Sequence, residues 1–237
     1  MRLTVAGVAV ATSVILQGGI ALGETLPLPT NLIALDSRDG EALLIGAVSR
    51  ADFVPLSMQF VTQATPSYCG VATLVMLLNA FKLPAPVSPD MAGMGMFNQA
   101  NVFTPRTEAV KTQASIDGNG MTLEEFAGLA RSYDLKTDVH HAADSSLDDF
   151  RRLAIGALDA ADQYVVVNYL RSALGQKTSG HISPLAAYDA DTDRFLILDV
   201  TRYKYPPIWA TASDLYAAMN TKDDDAGKTR GFVVVSR

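Results

Sequence analysis

The single cysteine of this 237-residue chain, Cys69, lies in the segment PSYCGVATLVMLLNAF, where apolar residues recur at helical spacing. Pro66 and Ser67 are typical of a helix start, so the sequence predicts a helix over residues 66–81 with Cys69 in its first turn. A thiol there faces unpaired backbone N–H groups and the positive end of the helix dipole, which both favour the thiolate. Cys69 is therefore a candidate nucleophile, although a lone cysteine in a helix is more commonly a small core residue.

Gln63 precedes Cys69 by six residues, in the loop that leads into the predicted helix. Its side-chain amide could donate a hydrogen bond to a developing oxyanion, together with the backbone N–H of Cys69. Gly70 has no side chain, so a substrate can approach the backbone beside the thiol. This arrangement suits acyl transfer through a thioester.

A predicted hairpin brings a base and an acid together. The polar segment 189–193 is typical of a turn, and the apolar runs on either side of it predict two paired strands, His181–Tyr188 and Arg194–Val200. A turn centred near residue 190 or 191 puts His181 opposite Asp199 or its neighbour, with Cβ atoms about 4.5–5.5 Å apart. The acid would hold the imidazole tautomer and leave its other nitrogen for the thiol. A purely structural His–Asp hydrogen bond is the alternative.

Other elements predict an α+β fold. The capping box Thr122–Glu125 predicts a helix over residues 122–133, and Ser145 or Ser146 caps a second helix that runs to about Asp159. Most of the remaining elements are strands, and helices first followed by antiparallel strands indicate α+β. These remaining elements are a strand at Gln163–Leu170, a short helix at Ala212–Met219 and a final strand at Gly231–Val235.

Composition excludes several classes of function. The net charge is −6 and no cluster of Lys and Arg resembles a phosphate-binding stripe, so nucleic acid is not an expected partner. One cysteine cannot form an internal disulfide. No metal site is predicted, and the acidic run Asp223–Asp225 is interpreted as a solvated turn. His140 and His141 lie in a polar segment and are predicted to be solvated surface residues.

The N-terminus predicts export. Arg2 is followed by an uncharged, mainly apolar stretch from Leu3 to Leu22, and Ala21-Leu22-Gly23 suits signal peptidase. We therefore expect a signal peptide at residues 1–23, one domain at residues 24–237, a periplasmic or secreted location and no stable membrane association after cleavage. An uncleaved membrane anchor is the alternative.

The segments around these candidates also carry a family resemblance. They are Thr62-Gln63, Tyr68-Cys69-Gly70, Leu77-Leu78-Asn79-Ala80, Gly180-His181-Ile182-Ser183-Pro184, ILDVTRYKYPPIW at residues 197–209 and Arg230-Gly231-Phe232. Together they resemble phytochelatin synthases, with their GHFSP and ILDVARFKYPPHW motifs, over residues 50–237. The resemblance implies a papain-like fold, with the nucleophile helix packed on a C-terminal antiparallel sheet. It also implies a Cys69-His181-Asp199 triad, Gln63 as oxyanion donor and glutathione as substrate.

The implied reaction is γ-glutamylcysteinyl transfer from glutathione with release of glycine. Because glutathione carries carboxylates, cationic neighbours are expected, and the candidate substrate-binding residues are Arg202, Lys204, Tyr205, Arg230 and Asn168. The chain resembles the short bacterial members, which lack the Cys-rich C-terminal domain, so hydrolysis to γ-Glu-Cys is expected to exceed phytochelatin synthesis. The chemistry is expected to need no cofactor, and the resemblance leaves room for cadmium activation through a metal–glutathione substrate. A homodimer is compatible with the sequence.

Two other functions remain open. Papain-like peptidases of the bacteriocin-processing type also place a glutamine shortly before Cys-Gly, although they do not require the RYKYPPIW segment. A non-catalytic binding module on the same fold would keep Cys69 as an inert thiol.

Overall fold

A computed structural model describes residues 25–87, 92–177 and 179–237. The predicted signal peptide at residues 1–23 lies outside the described residues. Within the described part, none of the helices combines the length and the apolar character needed to cross a membrane.

Helices dominate the first half of the described chain, and strands dominate the second half. The helices are α1 (Arg38–Gly46), α2 (Phe53–Ser57), α3 (Cys69–Ala80), α4 (Pro105–Glu108), α5 (Gln113–Asn119), α6 (Leu123–Arg131), α7 (Leu147–Leu158) and α8 (Ala212–Met219). The strands are β1 (Ile33–Ala34), β2 (Lys136–His141), β3 (Gln163–Leu170), β4 (Gly180–Asp189), β5 (Arg194–Ile197), β6 (Ile208–Thr211), β7 (Lys222–Asp223), β8 (Lys228–Thr229) and β9 (Gly231–Ser236).

Seven of the described strands form one antiparallel sheet in the order β1-β6-β5-β4-β3-β9-β2, while β7 and β8 form a separate hairpin. The mixture of helices with an antiparallel sheet confirms the predicted α+β class. Helices cover both faces of this sheet. Val166 of β3 packs into one hydrophobic cluster with residues of α3 and α6, whereas its neighbours Val165 and Val167 pack into a second cluster with α7 and α8. The alternation of side chains along a strand explains this division.

Helix α3 occupies the centre of the first cluster, and its residues from Cys69 to Leu78 are all buried. A helix that is apolar on every side can be stable only inside the protein. It begins at Cys69, three residues later than predicted, because Tyr68 is its N-cap residue and residues 66–67 belong to the preceding loop. The nucleophile candidate is thus the first residue of the helix.

Capping predicted the starts of two other helices correctly. At the start of α6, the Thr122 hydroxyl oxygen accepts a hydrogen bond from the Glu125 N–H, and the Glu125 carboxylate accepts one from the Thr122 N–H. At the start of α7, the Ser146 hydroxyl oxygen accepts a hydrogen bond from the Asp149 N–H. Strand β3 and helix α8 have their predicted bounds.

The expectation that His140 and His141 are solvated was wrong. Both lie in β2, which the sequence did not reveal because its residues KTDVHH are mainly polar. His140 stacks on the ring of Phe232 at 4.7 Å, and His141 is buried with Nδ1 2.6 Å from the Thr229 carbonyl oxygen. An edge strand can be polar because one face is only partly covered.

Candidate active site

Cys69 lies at the junction of α3 and β4, with only 9% of its surface exposed. The backbone N–H groups of Gly70 and Ile182 point to its sulfur and lower the pKa of the thiol, as does the positive charge of Arg171. Burial has the larger effect, so the net pKa of Cys69 is raised. The sequence suggested that the helix start would favour a thiolate, but desolvation outweighs the helix and the free protein holds a neutral thiol.

His181 is also buried and contacts an acid, as the hairpin pattern suggested. Its Nε2 lies 3.0 Å from Oδ1 of Asp199 and 2.9 Å from the Ser183 hydroxyl oxygen. The ring edge meets the Tyr169 ring at 5.6 Å between centroids. Within the described residues, Nδ1 makes no hydrogen bond, so this nitrogen is free to accept a proton.

The strand register differs in detail from the prediction. A bulge between Leu185 and Ala187 shifts the pairing of β4 with β5, and the ladder ends at Ile197. Asp199 therefore lies two residues beyond the strand. The Leu198 N–H still donates to the Pro184 carbonyl oxygen at 3.0 Å, which keeps the two segments adjacent.

A buried arginine that the sequence did not single out completes this group. Arg171 is 1% exposed; its Nη2 donates to Oδ1 of Asp199 at 2.8 Å, and its Nη1 lies 2.8 Å from Oδ2 without the alignment of a hydrogen bond. Nη1 also donates to Gln176 and Nη2 to Thr201, and the Tyr205 ring lies 5.3 Å from the guanidinium carbon. The Thr201 N–H gives Asp199 one further bond at 2.8 Å.

These contacts decide the charge of each group. Burial alone would raise the pKa of Asp199, but His181 and Arg171 outweigh it and hold that pKa well below its usual range. Burial, followed by the Arg171 charge, lowers the pKa of His181 to about 4, although Asp199 opposes both. At neutral pH the site therefore contains a neutral thiol, a neutral imidazole and a carboxylate paired with an arginine.

Gln63 is 3% exposed and is fixed from both ends of its amide. Its Oε1 accepts from the Thr201 hydroxyl at 2.6 Å, which sets the orientation of the amide. Its Nε2 donates to the Thr65 carbonyl at 2.7 Å and to the Tyr203 hydroxyl at 3.3 Å. Both amide hydrogens are thus engaged within the loop, and Gln63 does not line the cavity described next.

A cavity of about 620 Å³ opens beside Cys69 and His181, a size typical of small-molecule sites. Its walls come from four parts of the chain: the loop before α3, the end of α5 with the segment after it, the facing ends of β3 and β4, and the β7–β8 region. The lining residues are Thr65, Pro66, Ser67, Cys69, Asp117, Gly118, Asn119, Gly120, Met121, Asn168, Ser179, Gly180, His181, Ile182, Asp223, Asp225 and Arg230.

Arg230 provides the positive charge of this lining. Its guanidinium lies over Gly180, where a side chain would come within 3.3 Å of Nη2, so the glycine makes room for it. Nη1 donates to the Lys222 carbonyl and the Thr221 hydroxyl, and Nη2 lies 3.8 Å from Oδ1 of Asp223. Its Nε is buried and has no hydrogen-bond partner in the described part of the chain. The charged guanidinium at the cavity wall suits a carboxylate ligand.

The structure separates the predicted substrate-binding residues into two groups. Arg230 and Asn168 line the cavity, whereas Arg202, Lys204 and Tyr205 do not. Arg202 lies over the Phe60 ring at 4.9 Å, and the buried Tyr205 accepts a hydrogen bond from the Lys177 backbone at 2.8 Å. The Lys204 carbonyl accepts from Leu26. The interpretation of Asp223–Asp225 as a solvated turn is confirmed for Asp224 and Asp225, which are exposed in the β7–β8 turn, and was wrong for Asp223, which lies in β7 and faces the cavity with its side chain largely buried.

A comparison with known proteins assigns the family. The phytochelatin synthase family model matches residues 23–232. The chain belongs to the phytochelatin synthase family. Among curated relatives, glutathione gamma-glutamylcysteinyltransferase 1 of Lotus japonicus is 34% identical over 90% of this chain and 42% of its own length. The glutathione gamma-glutamylcysteinyltransferase of Schizosaccharomyces pombe is 31% identical over 88% of this chain and 50% of its own length. Glutathione gamma-glutamylcysteinyltransferase 1 of Arabidopsis thaliana is 30% identical over 90% of this chain and 43% of its own length. The chain thus spans half or less of the length of these relatives.

Family membership agrees with the resemblance found in the motifs, but the sequence analysis did not identify Arg171 and gave Ser183 no role of its own. Arg171 follows β3, three residues after Asn168, and Ser183 lies two residues after His181; both are buried. A buried polar residue needs a partner, and a polar residue beside an apolar strand was therefore the available signal. Among the described residues, no group of three or more His, Cys, Asp or Glu side chains is arranged to hold a metal ion.

Proposed function

We propose that this protein transfers the γ-glutamylcysteinyl group of glutathione to its Cys69 thiol, releases glycine, and passes the acyl group mainly to water. One observation carries the proposal: Cys69 and His181 share a cavity with the cationic side chain of Arg230. A nucleophile, a base and a carboxylate-binding cation in one cavity suit acyl transfer from a small acidic peptide. The names of the relatives supply the substrate.

A papain-like architecture is part of the proposal. It is supported by a nucleophile at the start of a buried helix, α3, that packs against β4 with its histidine, and by an acid that follows the next strand. Chain order and geometry agree with the Cys-His-acid arrangement of papain-like enzymes.

The charge state of the site sets the first step. The Cys69 sulfur attacks the carbonyl carbon of the Cys–Gly peptide bond, while Nδ1 of His181 accepts the thiol proton. Asp199 accepts a hydrogen bond from Nε2–H of the same ring and stabilises the imidazolium that forms. Arg171 keeps Asp199 ionised throughout.

The tetrahedral oxyanion is stabilised by the Cys69 backbone N–H and by Gln63. For Gln63 to donate, one amide hydrogen must leave the Tyr203 hydroxyl, whose 3.3 Å bond is the longer of its two. The C–N bond then breaks, glycine leaves with the proton from His181, and a γ-Glu-Cys thioester remains on Cys69. Water loses a proton to His181, attacks the thioester and releases γ-Glu-Cys. A second glutathione thus competes with water and would form phytochelatin.

Charged residues of the cavity match the glutamyl end of glutathione. Its α-carboxylate fits Arg230, and its α-amino group fits Asp223, which lies 3.8 Å from the arginine. Asn168, which is 2% exposed and lines the cavity, provides an amide for the peptide backbone of the substrate. Arg202, Lys204 and Tyr205 would act only indirectly, through the loop that carries Asp199.

We place the protein in the periplasm or outside the cell, on the basis of the uncharged segment that follows Arg2. Cadmium would enter as part of a metal–glutathione substrate, with no resident cofactor. Comparison of the mature N-terminus with the encoded one tests export, and sedimentation equilibrium tests the homodimer.

The function is tested by assaying free glycine and γ-Glu-Cys after incubation with glutathione. The wild-type protein should release glycine together with a somewhat smaller amount of γ-Glu-Cys, and Cys69→Ala should release neither. Arg38→Ala, at an exposed residue outside the cavity, serves as the control and should keep at least about half of the activity, as expected for a surface substitution. Glycine release by Cys69→Ala, or cleavage of a double-glycine leader peptide in place of glutathione, would reject the proposal.

A further inference from the structure

Met121 forms the wall of the cavity next to the nucleophile. A Cβ atom on Gly70 would lie 2.4 Å from the Met121 sulfur and 2.9 Å from its Cγ, so the thioether rests directly on the Gly70 backbone. Gly70 follows Cys69 in the first turn of α3, and Met121 lines the same cavity. The methionine thus occupies the space that a side chain on residue 70 would otherwise fill.

The segment that carries Met121 is fixed at both ends. The Ser67 hydroxyl donates to the Asp117 carbonyl at 2.9 Å, which joins the segment to the loop before Cys69. After Met121, the capping box of Thr122 and Glu125 begins α6. Gly120, with φ of +68°, makes the sharp turn between the end of α5 and this box. Because the backbone on either side is held, the side chain of Met121 sets the position of the wall.

The two sides of the cavity differ in chemistry. One side carries Arg230, Asp223 and Asn168, which suit the charged end of a substrate. Beside Cys69, the lining contains Met121, whose thioether covers the side-chain-free Gly70. A scissile carbonyl placed at the Cys69 sulfur brings the side chain of its own residue, two bonds away, against this apolar side.

We propose that Met121, which packs on the Gly70 backbone, selects the residue that donates the scissile carbonyl, by forming an apolar wall that leaves room for a cysteinyl side chain and excludes larger ones. The inference rests on the proposed function and adds a specificity-determining residue to it. A thioether is a soft, polarisable surface and packs well against a CH₂–SH group. Replacement of Met121 by a smaller residue enlarges the space for the substrate side chain, and replacement by a larger residue reduces that space.

The test uses two tripeptides of sequence γ-Glu-X-Gly, with X as Cys or Leu, and measures glycine release. The ratio of kcat/KM for the Leu peptide to that for glutathione is compared between variants, because this ratio does not depend on the fraction of folded enzyme. Met121→Ala should raise the ratio at least about tenfold, the usual effect of a methylene-sized change in a pocket. Met121→Phe should lower it, and Met121→Leu should change it by less than about threefold, since the volume is conserved.

Met94→Ala serves as the matched control, because Met94 is 71% exposed and lies outside the cavity lining. This variant should keep the wild-type ratio. An unchanged ratio in both Met121→Ala and Met121→Phe, with glutathione still cleaved, would overturn the role of Met121 and leave the proposed function standing. Absence of glycine release by the wild-type enzyme would overturn both.

Discussion

Two buried aspartates, Asp199 and Asp52, show how the fold decides the charge of an acid. Asp199 is 0% exposed and Asp52 is 4% exposed, so burial is nearly the same. Arg171 and His181 hold the pKa of Asp199 well below its usual range. The pKa of Asp52 is raised from 3.8 to about 8, mainly by burial and further by the negative charge of Asp159. Oδ2 of Asp52 has no hydrogen-bond partner in the described part of the chain.

The difference shows that the charged and hydrogen-bonding neighbours of a buried carboxyl, and not its degree of burial, determine whether it is ionised. Asp199 is surrounded by donors from three parts of the chain, which meet at the candidate active site: His181 of β4, Arg171 after β3, and the Thr201 N–H of the following loop. Asp52 lies at the start of the short helix α2, where its side chain makes no capping bond. The same residue type is therefore an anion in one region and a neutral acid at neutral pH in the other.

Asp199→Asn should have the largest effect on activity. An amide cannot stabilise the imidazolium of His181 and can hold the wrong tautomer, so kcat for glycine release should fall about 10³–10⁴-fold. The measurement is steady-state release of glycine from glutathione at neutral pH. Loss of less than about tenfold would mean that Asp199 is only structural, and circular dichroism would check that the variant is folded.

Arg171→Met removes the positive partner and leaves Asp199 buried without full compensation. We expect a loss of about 3–5 kcal/mol in the free energy of unfolding, measured by urea denaturation. Because the Arg171 charge lowers the pKa of His181, the acidic limb of the kcat/KM profile should also move to higher pH in this variant. A purely structural arginine would lower stability and leave that limb in place.

Asp52→Asn should raise the free energy of unfolding, by a smaller amount than Arg171→Met lowers it. The unfolded chain ionises Asp52 above its usual pKa of 3.8, while the folded protein keeps it protonated up to about 8. The folded state therefore binds the extra proton between these values, and stability falls as pH rises. Removal of the acid should raise the free energy of unfolding by about 1–2 kcal/mol at pH 7 and have little effect at pH 4.

Asp159→Asn provides the control for Asp52, because the Asp159 charge is the secondary cause of the raised pKa. Its stabilising effect at pH 7 should be smaller than that of Asp52→Asn. Equal stabilisation of Asp52→Asn at both pH values would contradict the assignment of a neutral buried acid.

Local patterns predicted much of this structure. Caps and apolar periodicity gave α6, α7, β3 and α8 almost residue by residue, and turn chemistry brought His181 to Asp199. The edge strand β2 was not predicted, because polar residues predominate in it and its alternation of apolar and polar side chains is weak. The role of Arg171 could not be predicted, since its contacts with Asp199, Thr201 and Gln176 join residues from separate loops. The pKa of Cys69 was misjudged because burial is a property of the whole fold.

The most direct test of the central claim is intact-protein and peptide mass spectrometry after rapid acid quenching of the enzyme with glutathione. The predicted result is a mass increase of one γ-glutamylcysteinyl group on the peptide that contains Cys69, stable to a phosphine reductant at acidic pH and removed by hydroxylamine, as expected of a thioester. A mixed disulfide with glutathione would instead add the whole tripeptide and disappear on reduction. Release of glycine without the γ-glutamylcysteinyl adduct, or an adduct on any residue other than Cys69, would contradict the mechanism.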